Sequence, residues 1–255
     1  MKPLPRPRIA IFDLTDCEGC EVEFINLKDE LADLMEGVDI VNWRLAAEDA
    51  SEGPFDAAIV EGTPVTPEER EILREIRENT GVLIALGACA CLGGIPAIVD
   101  DEKERGEFYR KVYPPGYVPK GDEAKPLDAY VKVDYYIHGC PVDKNEIGRM
   151  LSELLAGKTP EDRDEPVCMA CKIRDNRCYL ANDEPCLGPI TRGGCDAFCT
   201  SRGKACVGCY GLVKDANFER MVERLNEIQD EDETRRTLGM FLSETSEYKE
   251  RYGRK

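Results

Sequence analysis

Eight of the thirteen cysteines in this 255-residue chain fall between Cys168 and Cys209, and the other five, Cys17, Cys20, Cys89, Cys91 and Cys140, are spread through the preceding 167 residues. The stretch from 160 to 212 has little hydrophobic periodicity, many Gly and Pro, and too few large apolar residues for a conventional core. Something bound must therefore organise it. Disulfides, structural zinc and iron-sulfur clusters are the three chemistries that use cysteine at this density.

Disulfides need an oxidising compartment. Met1 to Arg8 is short, rich in Pro and basic residues, and runs straight into Ile9 to Leu14 with Asp16 and Cys17 close behind, so no signal-peptide apolar region fits there. No window approaches the 18 to 20 apolar residues, roughly, of a membrane span. The expectation is a cytoplasmic protein without a membrane span. A formal charge of -17, from 51 acidic against 34 basic residues, repels phosphate backbones and excludes nucleic acid as an expected partner.

Hydrophobic periodicity outlines the remainder. Residues 8 to 14 read as a buried strand ending at the loop Asp-Cys-Glu-Gly-Cys, followed by apolar residues at helical spacing from Glu21 to Met35. Further strands are expected over Ile40 to Leu45, Ala57 to Val60, Val82 to Leu86 and Tyr135 to His138. Helices are expected from Pro67 to Asn79 and from about Asp143 to Leu155, with a polar excursion from Tyr113 to Pro126. Strands alternating with helices predict an α/β domain on a parallel sheet. Ligands collect outside the carboxyl ends of such strands, and three strand ends here deliver Cys17 with Cys20, Cys89 or Cys91, and Cys140. The charged segment beyond Leu212 is helical in pattern.

Thiolates suit iron-sulfur clusters and zinc, and four close each site. The distal spacing, Cys168-x2-Cys171-x6-Cys178-x7-Cys186 and then Cys195-x3-Cys199-x6-Cys206-x2-Cys209, favours two adjacent four-cysteine sites. A zinc-stabilised scaffold would explain those eight cysteines but not a third set gathered from distant strand ends. Glycines at 19, 87, 188, 193, 194 and 208 would let the main chain approach cluster sulfurs. The single histidine, His138, precedes Gly139 and Cys140 and reads as a structural residue; one histidine cannot build a Ser-His-Asp or His-Glu-x-x-His site.

The motifs Asp-Cys-Glu-Gly-Cys-Glu (16 to 21), Val-Glu-Gly (60 to 62), Gly-Ala-Cys-Ala-Cys-Leu-Gly-Gly (87 to 94) and Gly-Cys-Pro (139 to 141), in this order, resemble the small subunit of nickel-iron hydrogenases over nearly the whole chain. The middle segment is similar to that of sulfhydrogenase delta subunits. The resemblance implies a flavodoxin-like domain over 1–159, then a small irregular iron-sulfur domain with C-terminal helices over 160–255. It implies three 4Fe-4S clusters: a proximal one on Cys17, Cys20, Cys89 and Cys140, a medial one on Cys195, Cys199, Cys206 and Cys209, and a distal one on Cys168, Cys171, Cys178 and Cys186. Cys91 is then the spare, and Glu61 stands beside the proximal cluster, with helix or loop capping as its alternative role. The twin-arginine leader and C-terminal membrane helix of membrane-attached relatives are missing. The implied function is electron transfer between a nickel-iron large subunit and a flavin- or iron-sulfur-containing partner, with no hydrogen-cleaving site on this chain. A quinone-linked subunit related to respiratory complex I resembles only the N-terminal part and needs one cluster.

Overall fold

The computed structural model describes residues 6–47, 50–98, 102–118, 120–121 and 123–253, with the side chains of 102–105 left out. Parts of the N-terminal stretch and of the polar excursion read from the sequence lie outside the described residues.

Strand β1 (Arg8–Asp13) leads through the Cys17 loop into α1 (Gly19–Ile25) and α2 (Asp29–Gly37). The periodicity suggested one helix here. The structure breaks it where Leu27 turns into the core and Lys28 takes a positive φ of 55°, a conformation that ends an α-helix. Strands β2 (Asp39–Trp43) and β3 (Phe55–Glu61) follow, and then α3 (Pro67–Glu78). Thr66 and Glu69 close a capping box at the start of α3, with Pro67 at its first turn.

Strand β4 (Thr80–Leu86) runs directly into α4 (Gly87–Leu92), a segment that reads as a loop in sequence. A charged helix, α5 (Glu102–Val112), precedes the polar excursion. Strand β5 (Tyr135–Ile137) then leads to α6 (Lys144–Leu155), capped by the Asp143 carboxylate, which accepts from Asn145 N–H. The five strands form one sheet in the order β2-β1-β3-β4-β5, all parallel.

A parallel sheet buries both faces, and side chains alternate between them. Ile9, Ile11, Ile59, Ile84, Leu86 and Ile137 face a core shared with Phe24, Leu27, Ile147 and Met150. Ala58, Val60, Leu83 and Ala85 face the other way, onto Leu73 and Ile76 of α3 and onto Ala90 and Cys91 of α4.

Beyond α6 regular structure thins. The short helix α7 (Val167–Ile173) is followed by turns, and the local cluster there is only Val167, Cys171 and Ala197. Helices α8 (Phe218–Asn226), α9 (Glu231–Leu242) and α10 (Ser246–Tyr252) then pack on Leu187 and Ile190. Helix α9 also contacts α4 and the turn Ile95–Ile98, and Ser243 hydroxyl donates to the Ala97 carbonyl at 3.4 Å. The terminal helices thus fold back onto the sheet region beside Cys89. Among the described residues, no helix is long and apolar enough to cross a membrane.

Candidate functional site

Because all five strands run in one direction, their carboxyl ends share an edge, and β1, β4 and β5 each deliver cysteine there. Cys17 lies in the loop after β1 and Cys20 in the first turn of α1; Cys89 lies in α4 and Cys140 follows β5. The Ala88 N–H donates to the Gly139 carbonyl at 2.7 Å, which fastens the Cys89 helix to the Cys140 loop. Gly87, at φ 84°, faces Cys20 so closely that a Cβ would overlap the Cys20 sulfur.

Burial pushes the Cys89 thiol up to about 12, and the neighbouring Cys140 and Cys17 push the same way while the Ile95 N–H opposes them. Burial raises Cys20 and Cys140 as well, with Cys89 acting on the first and Cys17 on the second. These four cysteines are therefore neighbours at this edge. Cys91 does not belong with them: it is buried in the opposite face of the sheet, with its thiol directed at the Ala85 and Ile137 carbonyls at 3.6 and 3.7 Å.

Glu61 closes β3 at the same edge and is 2 % exposed. Its carboxylate accepts from Cys20 N–H at 3.0 Å and from Glu21 N–H at 2.7 Å, so it caps the first turn of α1 from another strand. Burial raises its pKa, and those two N–H groups work against the rise. Two more carboxylates lie beside it. Burial pushes Glu21 up to about 7 despite the hydrogen bond it accepts from Trp43 Nε1–H at 2.7 Å. Burial likewise pushes Asp16 up to about 6, against a hydrogen bond from Glu18 N–H. Neither was singled out from the sequence, although both belong to the Asp-Cys-Glu-Gly-Cys-Glu motif.

A second set, Cys195, Cys199, Cys206 and Cys209, lines a cavity of about 280 Å³ together with Val167, Phe198 and Tyr210. Cys140 of the first set lines the same cavity. Burial pushes Cys206 up to about 12 and also raises Cys209 and Cys195.

In the third set, burial first and then Cys186, Cys171 and Cys178 raise Cys168 to about 11. Gly188 is the close approach here: a Cβ would stand 3.2 Å from the Cys168 sulfur and 3.6 Å from that of Cys186. Cys206 N–H donates to the Cys186 sulfur at 3.4 Å, joining the second set to the third. Gly19 lies against Cys17, where a Cβ would stand 3.3 Å from the sulfur, and the Gly208 N–H is directed at Cys206, whereas Gly193 packs on Glu165 and Gly194 on Tyr210; Gly94, not anticipated, lies against Cys89.

His138 is partly buried, with its ring nitrogens covered, and stacks on Tyr136 with ring centroids 5.9 Å apart. Burial, aided by Arg192, holds it neutral with a pKa of about 3. Neither ring nitrogen has a hydrogen-bond partner among the described residues.

The donor chemistry fits iron-sulfur clusters: sets of soft thiols, main-chain N–H groups directed at sulfur, and close main-chain approach at Gly87 and Gly188. Fold and site together define a cysteine-rich α/β protein of the iron-sulfur type. The chain belongs to the family described as NADH ubiquinone oxidoreductase, 20 Kd subunit, which matches residues 17–154.

Its relatives extend the match past that segment. Sulfhydrogenase 2 subunit delta of Pyrococcus furiosus is 40% identical over 236 residues, 92% of this chain and 98% of the relative. A vhu subunit of the F420-non-reducing hydrogenase of Methanocaldococcus jannaschii is 30% identical over 80% of this chain and 81% of its own. Among solved structures, a chain of the NAD+-reducing [NiFe]-hydrogenase in the H2-reduced state aligns at TM-score 0.55 and 32% identity, over 61% of this chain and 94% of that one. A chain of the Ni-Fe-Se hydrogenase from Desulfomicrobium baculatum shares the fold at TM-score 0.56 and 17% identity, over 84% of this chain and 96% of that one.

Proposed function

We propose that the chain is the electron-carrying small subunit of a cytoplasmic nickel-iron hydrogenase complex, with three 4Fe-4S clusters. Cys17, Cys20, Cys89 and Cys140 hold the proximal cluster, Cys195, Cys199, Cys206 and Cys209 the medial, and Cys168, Cys171, Cys178 and Cys186 the distal. The observation that carries this reading is the neighbourhood of twelve thiols in three sets joined in series, Cys140 reaching the second set's cavity and Cys206 bonding to Cys186 of the third.

The clusters, when bound, supply one-electron carriers at fixed positions. The chain supplies the rest. Its thiols lose protons when they ligate iron. Main-chain donors such as Cys206 N–H stabilise charge on sulfur, and burial keeps water away, which together tune the potentials. A zinc-stabilised scaffold would account for the eight distal cysteines but not for the set gathered from three strand ends.

Cys17 and Cys140 are exposed, as are Val22 and Ile25 on α1. A proximal cluster at this edge needs cover from another chain, and the nickel-iron large subunit is the partner proposed for it. Electrons then pass through the medial and distal sets to a flavin- or iron-sulfur-containing subunit.

The test is metal and acid-labile sulfide analysis of the natively purified complex, with at least about twelve of each expected per copy of this chain from its three cubanes, besides the metal of the partner subunits. Zinc without near-stoichiometric iron would overturn the reading.

A further inference from the structure

The two ends of the thiol series differ in charge. Residues 13–23, around Cys17 and Cys20, hold five carboxylates (Asp13, Asp16, Glu18, Glu21 and Glu23) and no Lys or Arg, although Asp13 and Glu18 pair with Arg44 and Glu21 is buried. Over the third thiol set, residues 168–186, three Lys or Arg balance three Asp or Glu, and over residues 187–207 three Lys or Arg face one Asp, in a chain whose net charge is -17. Across these two sets together the acidic excess of the chain is reversed.

That reversal has a definite surface. The turn after α7 is tied to the turn at 200–202: Asn176 Nδ2–H donates to Thr200 Oγ1 at 3.2 Å and to Ser201 Oγ at 2.9 Å, and Arg174 pairs with Asp196. On the joined turns Ile173 is 83% exposed, Met169 54% and Phe198 50%. Met169 and Ile173 share α7 with Cys168 and Cys171, while Val167 and Cys171 of the same helix are buried. Burying Met169 and Ile173 would serve no part of this chain's own core.

The charges around them are incompletely neutralised within the chain. Arg174 and Arg177 pair with Asp196 and Glu184, and Asp183 pairs with Arg224. Lys172 and Lys204 are exposed and form no ion pair among the described residues, and of the four carboxylates only the exposed Asp175 is likewise without one, so the cations remain in excess. The Arg202 guanidinium lies 3.5 Å from the centroid of the Phe198 ring, adding a third cation to an apolar residue.

We infer that Met169, Ile173 and Phe198, rimmed by Lys172, Arg202 and Lys204, form the docking face for an acidic electron-acceptor protein. This rests on the electron-carrying reading above and names the chemistry of the partner. The apolar centre excludes water over the distal set, and the cations steer and orient an acidic surface.

Carbodiimide coupling, which joins a lysine amine directly to a carboxylate, tests this on the natively purified complex with peptide mapping. Lys172 and Lys204 are expected to join to Asp or Glu of a flavin- or iron-sulfur-containing subunit. Coupling to the large subunit or to a second copy of this chain would overturn the proposal, and so would free modification of both lysines in the complex. The Lys172→Glu, Lys204→Glu double variant is expected to slow electron delivery to the acceptor subunit about tenfold while hydrogen-driven reduction of methyl viologen changes less than about twofold. Undiminished delivery to the acceptor would also overturn it. Iron and sulfide measured on the same preparations separate the two readings: a complex with full iron and no such coupling fails only the docking face, whereas one without iron fails the electron-carrying role.

Discussion

Residues 8–155 bury Ile59, Leu83, Ile84 and Leu86 on a five-stranded sheet covered on both faces, whereas residues 160–212 offer Val167, Cys171 and Ala197 as their local cluster, flanked by Ala170, Cys195 and Cys206. The first region has apolar area enough to order itself. The second consists of turns and one short helix carrying eight thiols, and burial raises the pKa of several of them. Leu187 and Ile190 at its far end are recruited into the cluster of α8 and α9 rather than into a core of its own. With the proposed clusters bound, one chain would fold by two routes, hydrophobic burial positioning the first thiol set and bound metal completing the structure around the other two.

The largest effect that would break this contrast is iron removal. Chelation under reducing conditions is expected to speed amide exchange in residues 160–212 on the order of a thousandfold or more, while β1, β3 and β4 stay protected. Uniform protection across both regions in the metal-free chain would end the distinction.

A smaller effect separates two cysteines of the same helix, α4. Cys89→Ala is expected to remove one cluster, about four of about twelve irons. Cys91→Ala should keep its iron and cost only packing, about 1 kcal/mol in denaturant unfolding. Equal iron loss at both positions would place Cys91 among the ligands instead.

The smallest effect concerns the sheet alone. Burial pushes the Asp134 carboxyl up, but bonds from Lys132, Leu83 N–H and Arg77 more than offset this and leave it below the usual value. A depressed folded-state pKa contributes stability above the ordinary aspartate value of about 4, and that stability is lost as pH falls through the folded value. Asp134→Asn should therefore cost about 1–2 kcal/mol at neutral pH and flatten the acid limb of the sheet's unfolding curve. An unchanged acid limb would show that this ion pair adds nothing to the sheet's side of the comparison.

Much of the sheet was legible because its signal is local: a run such as Val82 to Leu86 is strand-like wherever it sits, and Thr66 with Pro67 marks a helix start. Other features depend on distant packing. The break at Lys28 follows from Leu27 entering the core, and the helical form of Gly87 to Leu92 from its docking against β3, β5 and α9. Glu61 was visible as part of a motif, but its capping of α1 requires the register that sets β3 beside β1.

The sequence by itself determined the α/β class, the cysteines available as ligands and the unusual character of the segment after 160, since periodicity and composition are properties of short stretches. Tertiary structure alone decided which thiols are neighbours. Cys17, Cys89 and Cys140 lie far apart along the chain, and only the parallel order of β1, β3, β4 and β5 carries their strand ends to one edge. The same packing turned Cys91 into the opposite core and left Ile173 and its neighbouring lysines facing outward, because the direction a side chain faces is set by the elements packed around it.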